Sequence, residues 1–128
     1  MSTSNSQPVL AKTASYSVTA ADGSALITNR GATGTITITL PTQASVGVGF
    51  WVEVFVVAGY NVTVDTATAD TMVTTNDATA DSISWGTSSE IIGSGARFVS
   101  DGTGWLCIQN SGGLTGGHSI ATVTIVTN

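Results

Sequence analysis

Charged residues are scarce in this sequence of 128 residues, and their scarcity excludes several classes of protein. Only 9% of the residues are charged, against a typical value of about 25%. The three basic residues, Lys12, Arg30 and Arg97, are too few to form a basic patch, which argues against binding to nucleic acid through its phosphates. Because a soluble monomer usually has a more charged surface, the composition indicates that protein partners cover much of this one.

Cysteine pairs and long apolar stretches are also missing. The single cysteine, Cys107, cannot form a disulfide within the chain. Its position in the apolar segment 105–108 predicts core packing rather than a reactive thiol. The longest apolar run, residues 50–58, is interrupted by Glu53 and is too short to span a membrane. The N-terminal residues lack the regions of a signal peptide, so we expect synthesis in the cytoplasm.

The residues that are abundant predict an all-β fold. Threonine, valine, isoleucine and serine favour strands, and glycine marks turns. Segment 35–40 alternates strictly, so Ile36, Ile38 and Leu40 should face a core. Residues 101–104 (DGTG) are a strong hairpin signal. We therefore expect about eight to ten short strands in an antiparallel β-sandwich or a jelly-roll-like barrel.

The chain is expected to divide into a flexible N-terminal arm, residues 1–12, and a single β-domain, residues 13–128. Residues 66–80 are rich in Thr, Ala and Asp and are predicted to be mainly loop. The strand candidates, of which about eight to ten are expected to form, are residues 15–18, 25–29, 35–40, 50–57, 61–65, 71–73, 82–85, 90–92, 96–100, 105–109 and 119–127.

One strand candidate, residues 50–57, is apolar on both faces. Val52, Val54 and Val56 share one face, while the other carries Trp51 and Phe55. A strand of this kind should be covered on both sides, so we expect one face to meet the core and the other a neighbouring subunit. The candidate interface residues are Phe50, Trp51, Glu53, Phe55, Val57 and Tyr60. Glu53 interrupts the strand and needs a basic partner, and Arg97 and Arg30 are two of only three candidates in the sequence.

No group of side chains in the sequence indicates catalysis. His118 is the only histidine, and a catalytic role would need a partner brought close by the fold. Glu53 has no second carboxylate at a catalytic spacing. The acids Asp65, Asp70, Asp77 and Asp81 do not have the spacing of a calcium loop. We predict a non-enzymatic protein without cofactor or metal.

Four segments together resemble a β-module of tailed-phage structural proteins. They are residues 35–41 (TITITLP), 49–54 (GFWVEV), 61–65 (NVTVD) and 99–105 (VSDGTGW), and the resemblance covers roughly residues 14–108. Such modules are found in capsid decoration (cement) proteins and in tail-fibre or spike segments, and they usually occur as homotrimers.

The sequence departs from this pattern in two places. The family usually has an apolar residue and a tight glycine turn after the Asp-Thr that follows the hairpin. Here residues 70–73 continue into 74–77 without a glycine, which predicts a longer loop. Residues 109–128 also lie outside the resemblance, and we expect either an added strand or an arm that docks on a neighbour.

The resemblance implies a virion protein that forms homotrimers and binds the major capsid protein. The length of the chain, without coiled coil or collagen-like repeat, favours a decoration protein that binds the outer capsid surface and stabilises the head. A tail-fibre or spike component is the first alternative. The second is a carbohydrate-binding module, in which Trp51, Trp85, Trp105 and Tyr60 form a platform for sugars. No nucleic-acid or membrane partner is expected.

Overall fold

The computed structural model describes residues 6–86, 91–109 and 122–127. These residues form twelve β-strands and one short α-helix. The strands are β1 (Val9–Ala11), β2 (Tyr16–Ser17), β3 (Leu26–Thr28), β4 (Ile36–Thr39), β5 (Trp51–Phe55), β6 (Val62–Asp65), β7 (Met72–Thr74), β8 (Asp77–Ala80), β9 (Ser82–Gly86), β10 (Gly95–Ser100), β11 (Trp105–Gln109) and β12 (Thr122–Val126), and the helix is α1 (Gln43–Val46). A 3₁₀ turn lies at Ala20–Asp22.

The strands form a seven-stranded sheet and a five-stranded sheet. The strand orders are β1-β3-β5-β10-β11-β7-β8 and β12-β9-β6-β4-β2. The predicted all-β, sandwich-like fold is confirmed, but both sheets are mixed rather than antiparallel. The parallel pairs include β1–β3, β3–β5, β2–β4 and β4–β6. Consecutive strands from β1 to β6 lie alternately in the two sheets. The chain therefore comes back to a sheet running in the same direction as before, which makes neighbouring strands parallel.

The two sheets enclose one apolar core. Ile36, Ile38 and Leu40 are buried as the alternating pattern predicted. From the seven-stranded sheet, Val52 and Phe98 belong to the same cluster of buried residues. Every second side chain of these strands is therefore removed from water, which supplies the main favourable term for folding.

The predicted N-terminal arm is too long, because β1 lies within residues 1–12. The backbone N–H of Leu26 donates to the carbonyl of Pro8, and that of Lys12 donates to the carbonyl of Thr28, both at 2.8 Å. Leu10 packs against the core. Apolar residues at positions 9–11 thus complete the edge of the seven-stranded sheet instead of remaining free.

Two other strand predictions need correction. Residues 77–80, predicted as loop, form β8, because Met72 and Thr74 pair with Ala80 and Asp77 across a tight connection. Ile91 and Ile92 lie in no strand, and the preceding position 90 is outside the described residues. In the described part of the chain, no helix is long and apolar enough to cross a membrane.

Cys107 packs in the core, as predicted, and we expect its thiol to be inert in the folded protein. Burial raises the pKa of the Cys107 thiol to about 11, although a hydrogen bond with Thr74 acts in the opposite direction. At pH 8 only about one thiol in a thousand is then ionised, and the thiolate is the reactive form. A thiol-specific disulfide reagent should modify Cys107 at least about 100-fold faster in denaturant than in native buffer. Equal rates would contradict the burial.

Candidate interaction surface

Most side chains on the outward side of the seven-stranded sheet are apolar. We call this surface the outer face. Its side chains alternate along each strand with buried ones such as Val52, Phe98 and Cys107. The outer face consists of Val9, Ala11, Leu26, Thr28, Trp51, Glu53, Phe55, Val73, Arg97, Val99, Leu106 and Ile108. Three of these apolar side chains are well exposed: Val9 is 62% exposed, Ile108 57% and Val73 46%.

The strand register arranges most of the outer face into two rows, because residues paired across strands point to the same side. The first row crosses β5, β10, β11 and β7, and consists of Trp51, Val99, Leu106 and Val73. The second row crosses β1, β3, β5, β10 and β11, and consists of Val9, Leu26, Glu53, Arg97 and Ile108. The first row crosses four adjacent strands and the second crosses five, so their apolar side chains form one surface with Glu53 and Arg97 at its centre.

Arg97 joins the two rows at the centre of the outer face. Its Nη2 atom lies 3.8 Å from Oε1 of Glu53, and its Cζ atom lies 4.6 Å from the centroid of the Trp51 ring. Of the three basic residues, Arg97 therefore pairs with Glu53. A partly exposed pair of this kind contributes at most about 1 kcal/mol to stability, so its main effect is to keep the guanidinium over the indole ring.

The five-stranded sheet has an outward side of a different character. One of its rows crosses β4, β6, β9 and β12, and consists of Thr37, Thr63, Ser84 and Thr124. The hydroxyls of Thr63 and Ser84 are hydrogen-bonded at 2.8 Å. Polar residues of this type are usual on the solvated side of a sheet. The apolar outer face is thus a property of one sheet only.

The structure brings three of the six predicted interface residues onto the outer face: Trp51, Glu53 and Phe55. Phe50 lies on the opposite side, where its ring meets that of Trp105 edge-on at 6.1 Å. Val57 lies beyond the end of β5, and Tyr60, in the turn before β6, is 40% exposed.

Sequence reasoning missed the part of the outer face that comes from β10 and β11. Val99, Leu106 and Ile108 are apolar, but so are the buried residues between them, such as Phe98 and Cys107. The sequence did contain a signal, because both strands have apolar residues on both faces and polar ones only at Arg97, Ser100 and Gln109, much as β5 is polar only at Glu53. Only the strand order shows that these faces form one surface.

The predicted acidic residues are dispersed. Asp65 and Asp81 line a surface pocket of about 440 Å³ together with Thr66, Ala67, Thr68 and Ser82, and burial raises the pKa of Asp65. Asp70 accepts a hydrogen bond from the backbone N–H of Gln43, and Asp77 accepts one from Thr127. Among the described residues, no three His, Cys, Asp or Glu side chains form a group that could hold a metal ion. His118 lies outside the described residues.

The tryptophans do not form an exposed platform. Trp85 and Trp105 are both 0% exposed and belong to the core. Trp51 is half-buried beneath Arg97. These positions argue against the carbohydrate-binding alternative, which requires aromatic rings that a sugar can reach.

Neither a scan against protein-family models nor a search of the curated proteins finds a match to this chain. The fold and the outer face therefore carry the functional argument, and the family resemblance of the four sequence segments remains a hypothesis.

Proposed function

We propose that this chain is a structural component of a phage particle, a decoration protein that binds the outer surface of the capsid as a homotrimer and stabilises the head. The observation that carries the proposal is the outer face, a largely apolar surface on a protein with few charges elsewhere. Large exposed apolar patches mark sites of protein association. Such a role is mechanical, and it requires no catalytic group.

The proposed mechanism is the addition of contacts across several capsid subunits at once. A homotrimer presents three copies of the same capsid-binding surface, so weak single contacts combine into tight attachment. The chain has a net charge of −5, and acidic side chains at strand ends, such as Asp65 and Asp101, supply charge complementarity to basic residues of the major capsid protein.

Reconstitution on capsids tests this function. Purified protein added to expanded heads that lack it should co-sediment with them at a fixed ratio and raise the temperature at which the heads release DNA. Heads that already carry a full complement are the control, and they should bind no more. Absence of binding to heads, or labelled protein found on tails, would overturn the decoration role in favour of a tail-fibre component.

A truncation tests the contribution of the N-terminal segment. Removing residues 1–7 should weaken attachment to heads about 10-fold or more while leaving the unfolding midpoint unchanged, because β1 and Pro8 are retained. Removing residues 1–12 should also lower the midpoint, because β1 is lost from the sheet. Full attachment after the shorter truncation would exclude this segment from the binding mechanism.

A further inference from the structure

The outer face divides into two halves of opposite charge. The half formed by β10, β11 and β7 carries Arg97 among its paired rows, and the half formed by β5, β3 and β1 carries Glu53. The other members of both rows are apolar. The halves are therefore complementary to each other in charge and alike in hydrophobicity.

We propose that the outer face is the contact between copies of this chain, with the Arg97 half of one copy packed against the Glu53 half of the next. This inference rests on the proposed homotrimer and specifies how it is held together. A contact between two different patches is heterologous, and it closes into a ring when the rotation between copies allows it. A three-membered ring has three such contacts, and every outer face is then covered.

The charges of the molecule favour a second copy as the occupant. Two chains of net charge −5 repel each other, so close approach is least unfavourable where the local charges cancel. The outer face meets this condition through Arg97 and Glu53. A guanidinium has five N–H donors, so one carboxylate at 3.8 Å does not saturate it. Arg97 is thus able to lie between its own Glu53 and that of the neighbouring copy.

Lysine substitutions with a matched control test the surface. Ile108→Lys and Val73→Lys each place a charge at an exposed position of the outer face. We expect each to weaken association at least about 10-fold in sedimentation velocity, because a buried unpaired charge is strongly unfavourable. Thr124→Lys adds the same charge at an exposed strand position of the other sheet and should leave the assembly unchanged.

The outcomes separate this inference from the proposed function. A wild-type trimer that persists in both Ile108→Lys and Val73→Lys would show that another surface holds the copies together. A wild-type protein that is monomeric at all concentrations would reject the homotrimer itself. Circular dichroism must show the β-sheet spectrum of the wild type in each variant, so that loss of association is not loss of the fold. Both residues are exposed, so each substitution is expected to leave the fold intact, and one folded variant is enough for the test.

Charge reversal tests the pairing between halves. Arg97→Glu and Glu53→Arg each place like charges on both halves, and each should weaken association at least about 10-fold. The double variant, Arg97→Glu with Glu53→Arg, restores opposite charges and should recover association to within about threefold of the wild type. A double variant as dissociated as the single variants would overturn the pairing.

Discussion

Replacing Gly95 with alanine is expected to destabilise the fold by about 3 kcal/mol or more. Gly95 opens β10 and pairs with Phe55 of β5. A Cβ atom at this position would lie 2.0 Å from the carbonyl oxygen of Val54 and 3.0 Å from its carbonyl carbon. Backbone atoms of a central strand have little room to move, so β5 and β10 would have to separate. Urea unfolding followed by tryptophan fluorescence measures the loss.

Gly59→Ala is the matched control for this substitution. Gly59 lies in the turn after β5, and a Cβ atom there meets nothing within 4 Å. We expect a change within about 0.5 kcal/mol, because a surface substitution without a clash has little effect. Equal stabilities for Gly95→Ala and Gly59→Ala would contradict the close approach of β10 to β5.

The second large effect is expected at Asn29, which follows β3 and is 1% exposed. Its Oδ1 atom accepts hydrogen bonds from the backbone N–H groups of Val57 and Ala58, both at 2.8 Å. Its Nδ2 atom donates to the carbonyl of Ala58 at 3.0 Å. One side chain thereby holds the chain where it leaves β5 for the other sheet.

Asn29→Ala should lower the free energy of unfolding by about 3 kcal/mol, since each of three hydrogen bonds contributes about 1 kcal/mol. Asn61→Ala is the control, because Asn61 lies near the same turn and its buried Oδ1 atom has no hydrogen-bond partner. That variant should change stability by less than about 0.5 kcal/mol. Calorimetry measures the stability of both variants. Similar losses in the free energy of unfolding would contradict the role of Asn29 in holding the turn.

The outer face and the substitution at Gly95 concern the same strands. β5 and β10 carry Glu53 and Arg97 outward, and they pack Val52 and Phe98 inward. A change that separates these strands therefore disturbs the proposed contact between copies as well as the core. For this reason the lysine tests of association use the exposed positions 73 and 108, at which the two effects are separable.

The local pattern of the sequence was sufficient to predict the fold class and much of the core. Ile36, Ile38 and Leu40 alternate with threonines, and period-two alternation places them on one side of a strand in any sheet. Cys107 was predicted to be buried for a similarly local reason, its apolar neighbours. A basic partner for Glu53 was predicted as well, because a carboxylate within an apolar strand needs one.

Strand order and direction were decided only by the tertiary structure. The alternation of β1 to β6 between two sheets makes neighbouring strands parallel, and no local pattern encodes which sheet a strand joins. The choice of Arg97 over Arg30, the crowding at Gly95 and the hydrogen bonds of Asn29 depend on residues that are distant in sequence. The outer face also depends on residues that are distant in sequence. Its members come from six strands, and only long-range pairing brings their apolar sides into one surface.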